Sequence, residues 1–173
     1  RHADAKRPPP ASRMWVSPVS TRENPMRLSC LVLITLAAAP ATVRAQASAD
    51  SAAIRAAALD YVEGWYEGNA ERMTRALHPG LVKRIVIADT ATGKSVLQGM
   101  GASALVNGTR HGYGKSTPKD KQQKDVRILD IFGNAASARA TMADWIDYMQ
   151  LAKVDGRWVI VNVLWERKPG AGG

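Results

Sequence analysis

Two apolar runs near the end of the chain, Tyr148 to Val154 and Arg157 to Glu166, are separated by Asp155-Gly156 alone. An Asp-Gly pair in that setting marks a two-residue β-hairpin. The favoured turn needs positive φ, which Gly adopts freely and Asp tolerates. The chain therefore ends in sheet. Residues 51–77, far upstream, carry a helical pattern, so long strands must curl back over an early helix. That geometry encloses a pocket.

With the turn fixed, alternation puts Tyr148, Gln150, Ala152, Val159, Val161, Val163 and Trp165 on one side of the hairpin. Asp147, Met149, Leu151, Lys153, Trp158, Ile160, Asn162 and Leu164 take the other. Both sides are largely apolar. A sheet wetted on one face alternates more cleanly, so a second copy of the chain is expected to cover this one, giving a homodimer through the sheet face. Lys153 opposite Trp158 is read as a cation-π pair.

The first 45 residues read as a separate region. Residues 1–25 contain Pro8-Pro9-Pro10 and no usable periodicity, and are expected to be a disordered leader or translated upstream sequence. Residues 26–45 read as a secretory signal peptide: Met26-Arg27, the apolar run Leu31 to Ala39, then small residues ending Val43-Arg44-Ala45. The apolar run is well short of the ~20 residues a spanning helix needs, so cleavage, not a stable membrane anchor, is expected. The expected location is periplasmic or secreted. These 45 residues also hold +5 of the net charge of +9, leaving +4, so the basic total is no argument for nucleic-acid binding. Cys30, the one cysteine, lies within the signal peptide, so the mature domain relies on its core instead of disulfides.

The mature region, 50–168, opens with Asp50 or Ser51 as a helix cap; residues 169–173 read as a disordered tail. Ile54, Ala58, Tyr61 and Trp65 recur at helical spacing. Gly68-Asn69 stops that helix and caps a second, with Met73, Ala76 and Leu77 buried and His78-Pro79-Gly80 ending it. Leu81 to Asp89 and Ser95 to Gln98 are expected to pair across a turn at residues 90–94. Ser103 to Arg110 reads as a third helix, followed by a solvated loop carrying Lys115, Lys119, Lys121 and Lys124. Val126 to Phe132 and Ala135 to Asp144 flank a turn at Gly133-Asn134. In that register Leu129, Ile131, Ala136, Ala138, Ala140, Met142 and Asp144 share the core face. No metal-ligand spacing, phosphate loop or repeat is present, and neither metal nor cofactor is expected.

Helix, helix, hairpin, helix and then a long curved antiparallel sheet resembles the nuclear transport factor 2-like superfamily, an α+β cone. Tyr61 to Asn69, Leu77-His78-Pro79, Asp147-Tyr148, Asp155-Gly156-Arg157-Trp158 and Val161-Asn162 resemble its branch of putative lumazine-binding proteins. The resemblance spans residues 51–168. It implies binding of a pteridine-like heterocycle, and it carries no catalytic motif onto this chain.

Six residues are candidate ligand contacts. Asp144 and Asp147 are carboxylates at the inner end of a sheet, where desolvation favours proton exchange. His78 ends the second helix, placed either to reach the cavity or to cap carbonyls. Tyr61 and Trp65, one turn apart, can floor a pocket for a flat ligand. Asn162 is an amide in an apolar run and needs a partner. The expected function is an exported domain binding a flat small molecule. The alternatives are a cofactor-independent isomerase or lyase using the pocket Asp or His, and a non-catalytic dimeric interaction module.

Overall fold

The computed structural model describes residues 29–89 and 91–170, with side chains from Ala45 onward. The expected leader, the start of the signal peptide at 26–28 and the last three residues lie outside the described residues. The described residues fall into two units, one up to Ala39 and one from Pro40 onward. Among the described residues no helix is long and apolar enough to cross a membrane.

Helix α1 is continuous over Ser29–Glu67, so Asp50 lies inside it and does not cap it. Alanine-rich sequence without Gly or Pro explains the continuation through residues 45–53. In the second unit, Ile54, Ala57, Ala58, Tyr61, Val62 and Tyr66 are buried along one stripe. Each large apolar side chain buried there contributes about 1.5–3 kcal/mol, which is what holds the helix on the sheet. Its other side carries Asp60, Glu63 and Glu67, all of which accept hydrogen bonds from Arg72 of the next helix. Arg72 thereby locks the corner. Asn69 caps α2 (Ala70–Ala76), its side chain accepting from Arg72 N at 3.1 Å.

The sheet is open and curved. It comprises β1 (Leu77–Ala88), β2 (Ser95–Gly101), β3 (Asp125–Phe132), β4 (Ala135–Thr141), β5 (Trp145–Val154) and β6 (Arg157–Arg167). Its order is β2-β1-β6-β5-β4-β3, antiparallel except where β1 lies parallel to β6. Between β2 and β3 come α3 (Ala102–Arg110) and two single 3-10 turns, Tyr113–Ser116 and Lys119–Lys121. The terminal hairpin turns at Asp155 (φ 49°) and Gly156 (φ 76°), the left-handed pair its sequence calls for. His78-Pro79-Gly80 does not end α2 by a loop: these residues are the irregular start of β1.

Two bulges reassign side chains that strict alternation misplaces. In β3 the register shifts between Ile128 and Asp130, so Leu129 is the extra residue, half exposed instead of in the core. In the last hairpin Gln150 faces Asn162 while Leu151 faces Ile160, making Val161 the extra residue. Beyond it, Val163 and Trp165 join Met149 and Asp147 on the inner face, and Asn162 and Leu164 go outward with Gln150 and Tyr148. The core is the inner face of β4, β5 and β6 against α1: Ala136, Ala138, Ala140, Met149, Leu151, Ile160 and Val163 are all buried.

Candidate functional site

Alternation along β1 points Leu81, Lys83 and Ile85 inward, and Lys83 is only 6% exposed. Its Nζ lies 2.5 Å from Asp147 Oδ1 on β5 and 2.5 Å from the Tyr61 hydroxyl on α1. Tyr61 in turn donates to Asp147 Oδ2 at 3.2 Å. Asp147 is fully buried, and both of its oxygens are engaged. A lysine ammonium has three N–H groups, of which Asp147 and Tyr61 take two. The third has no partner among the described residues.

Burial pushes the basicity of Lys83 below its ordinary range, while the Asp147 charge and hydrogen bond work the other way. Burial, then the adjacent Asp147 charge, pushes the Tyr61 hydroxyl well above the usual phenol range. Tyr61 therefore remains a proton-bearing donor across the physiological range.

Above this polar floor is a cavity of about 390 Å³ lined by Tyr61, Lys83 and an aromatic and aliphatic wall. Trp145 forms T-shaped pairs with both Trp65 (ring centroids 5.9 Å, 76° between planes) and Trp165 (6.0 Å, 71°). The face of Trp165 also covers Lys83 Nζ at 4.9 Å from the ring centre. Leu105 and Gly108 of α3 complete the opposite wall, and Tyr113, Met100 and Arg167 form the exposed rim. Gly114 seats Trp65: a Cβ there would stand 2.6 Å from Trp65 Nε1 and would also meet the Trp65 carbonyl. That close approach leaves Trp65 Nε1 buried with no hydrogen-bond partner among the described residues.

Tyr66 fixes the connection from which Trp145 projects. Its hydroxyl donates to Gln123 O at 3.1 Å and accepts from Ala143 N at 2.8 Å. Burial raises its pKa, so it holds these bonds as a neutral phenol.

Of the six sequence candidates, Tyr61 and Trp65 line the cavity, and Asp147 lies directly behind its floor. The other three lie elsewhere. Asp144 is exposed, because β4 ends at Thr141 and the chain turns tightly, with Met142 N donating to Trp145 O; alternation does not run through that turn. His78 Nδ1 accepts from Gly80 N at 3.0 Å, closing a local turn outside the cavity. Asn162, turned outward by the bulge, accepts from Arg84 and donates to Gln150. Lys153 and Trp158 do pair across the hairpin, but both side chains reach Asp50, at 2.7 and 2.9 Å.

Sequence reasoning missed Lys83, Trp145 and Trp165. Lys83 carried a usable signal, since it sits at the inward position between Leu81 and Ile85 in a strand otherwise rich in Val and Ile.

Several solved structures share this fold. A nuclear transport factor 2-like protein of unknown function from Shewanella baltica is 24% identical, with 71% of this chain and 97% of that one aligned at a TM-score of 0.55. One from Silicibacter pomeroyi, also of unknown function, is 14% identical over 70% of this chain and 98% of its own, at 0.53. A third, from Novosphingobium aromaticivorans and described as having a cystatin-like fold, is 12% identical over 76% and 90%, at 0.55. No curated protein matches the chain. These likenesses establish the nuclear transport factor 2-like α+β fold. Residues 49–166 match the family described as "Putative lumazine-binding", and on that match over most of its length the chain belongs to this family of small-molecule-binding domains.

Proposed function

We propose that this domain binds a flat, largely apolar molecule with a hydrogen-bond-accepting edge, a pteridine-like heterocycle or a ring system of similar shape. One observation carries the reading: a Lys83 ammonium with two hydrogen-bond partners among the described residues, at the floor of a cavity walled by Trp65, Trp145 and Trp165. Indole faces and edges favour a planar ring, and a donor buried among them favours a carbonyl or ring-nitrogen acceptor. Asp147 positions Lys83 and Tyr61 and balances the charge, so the ligand itself need not be anionic.

Export to the periplasm or medium is part of the proposal, supported by the apolar run Leu31 to Ala39 and the small-residue stretch after it. So is a homodimer. The outer face of the sheet exposes Leu97, Val86, Leu164 and Tyr148 across β2, β1, β6 and β5, an apolar band suited to a second copy. The isomerase or lyase reading finds less support. Asp147 lies behind Lys83 and Tyr61 and does not line the cavity itself, and Asp144 and His78 stand away from it.

Native mass spectrometry of protein recovered from its own periplasm tests all of this at once. The expected result is a dimer whose chains start near residue 46, each retaining an aromatic small molecule that absorbs in the near ultraviolet. Recovery of empty chains that also fail to take up added lumazine would contradict the binding reading.

A further inference from the structure

Lys83 is built for more than holding an acceptor in place. Hydrogen bonding alone is served as well by an amide or a hydroxyl, without the cost of burying a charge. Here a buried amine stands beside a carboxylate able to take its proton, at the floor of a cavity shaped for aromatic rings. We infer that Lys83 captures carbonyl compounds, its Nζ forming a reversible imine with an aromatic aldehyde or ketone seated against the tryptophans. The inference rests on the reading of the cavity as a site for flat molecules and narrows the ligand to one bearing a reactive carbonyl.

The step balances without oxidant or reductant. Asp147 Oδ1, 2.5 Å from Nζ, accepts the ammonium proton and frees the nitrogen lone pair. That pair attacks the carbonyl carbon, an N–C bond forms, and the C=O π pair moves to oxygen. A proton passes to that oxygen from the Tyr61 hydroxyl, which Asp147 resupplies through its 3.2 Å hydrogen bond. The carbinolamine oxygen then leaves as water, carrying the second proton from nitrogen, and the C=N bond closes. One amine and one carbonyl give one imine and one water. Burial favours both halves, since it lowers the basicity of Lys83 and keeps bulk water from driving the reaction back.

The probe is 2-naphthaldehyde with sodium cyanoborohydride at pH 7, read by intact mass and peptide mapping of the full chain. Reduction traps an imine as a stable secondary amine. The expected result is one adduct per chain on the peptide bearing Lys83, formed about tenfold faster than on any other lysine, because only there does a carboxylate take the ammonium proton at the floor of a cavity that seats the aldehyde. Lys83→Arg is expected to lose that adduct. The wild-type peptide map decides the matter even where the variant fails to fold. Lumazine, which has no aldehyde, is titrated in parallel by tryptophan fluorescence. Saturable quenching by lumazine with naphthyl label spread evenly over the surface lysines would overturn the imine and leave the binding reading intact. No quenching and no selective adduct would overturn both.

Discussion

The molecule uses one chemical combination twice, a carboxylate accepting from a lysine and from an aromatic donor, in two different surroundings. Asp147 accepts from Lys83 and the Tyr61 hydroxyl; Asp50 accepts from Lys153 and the Trp158 indole N–H. Each set joins α1 to the sheet. The Asp147 side chain is 0% exposed and Lys83 7%, whereas the Asp50 and Lys153 side chains retain 15% and 24%. At the wetter site the result is a clamp. Its carboxyl is held down at about 2, chiefly by the Gln46 hydrogen bond and then by Lys153 and Trp158. At the dry site the same groups sit beside a cavity, and the balance of burial against charge leaves a lysine of lowered basicity with a hydrogen to offer. Surroundings, not residue types, separate a fastener from a binding floor.

Breaking the dry set should have the largest effect. Asp147→Ala leaves a buried ammonium uncompensated and is expected to cost about 3–5 kcal/mol of stability in chemical denaturation. Replacing both charges together, Asp147→Leu with Lys83→Met, should recover most of that loss while leaving the cavity unable to donate. An Asp147→Ala variant as stable as wild type would show that Lys83 is not held as a buried cation. Asp50→Asn, at the wetter site, should lose clearly less than Asp147→Ala in the same denaturation series.

Next in size is the wall of the cavity. Gly114→Ala puts a methyl into Trp65 and its carbonyl, and should cost about 1–3 kcal/mol while weakening lumazine binding. Unchanged affinity in that variant would show that the position of Trp65 does not matter to the ligand.

The smallest expected effect is a titration that isolates the wetter set. The Asp50 carboxyl sits near 2 in the folded chain against an ordinary 3.8. As pH falls from about 4 to about 2 the unfolded chain takes up the proton first, so the stabilisation present above pH 4 is lost across that window. Asp50→Asn should flatten this part of the stability curve. An acid limb equally steep in the variant would assign it to other carboxylates.

How far the sequence could be read follows from the same contrast. The helix stripe from Ile54 to Trp65, the Asn69 cap and the Asp155-Gly156 turn each follow from local chemistry, and each appears where expected. Tyr61 and Trp65 followed from spacing, whereas both faces of the last hairpin are apolar enough that alternation alone did not say whether the side carrying Asp147 faces in. What failed was long alternation. The bulge at Val161 exchanges Asn162 and Leu164 for Val163 and Trp165 on the inner face, and both faces of that strand are too apolar for the pattern to reveal an extra residue. Asp144 was misplaced because counting by twos continued through a turn. Lys83 was legible from Leu81 and Ile85, but its partner lies 64 residues away, and no local pattern identifies such a pair.

The central claim is that Lys83, held by Asp147 and Tyr61, supplies the polar contact for a flat ligand between the tryptophans. Its most direct test is the dissociation constant for lumazine, by tryptophan fluorescence, in wild type and in Lys83→Met folded to the same circular dichroism spectrum. The account predicts saturable quenching at one site per chain and a Kd raised about tenfold or more in the variant, the size of one lost hydrogen bond from a charged donor. The same Kd in both proteins, or no saturable quenching in either, would contradict it.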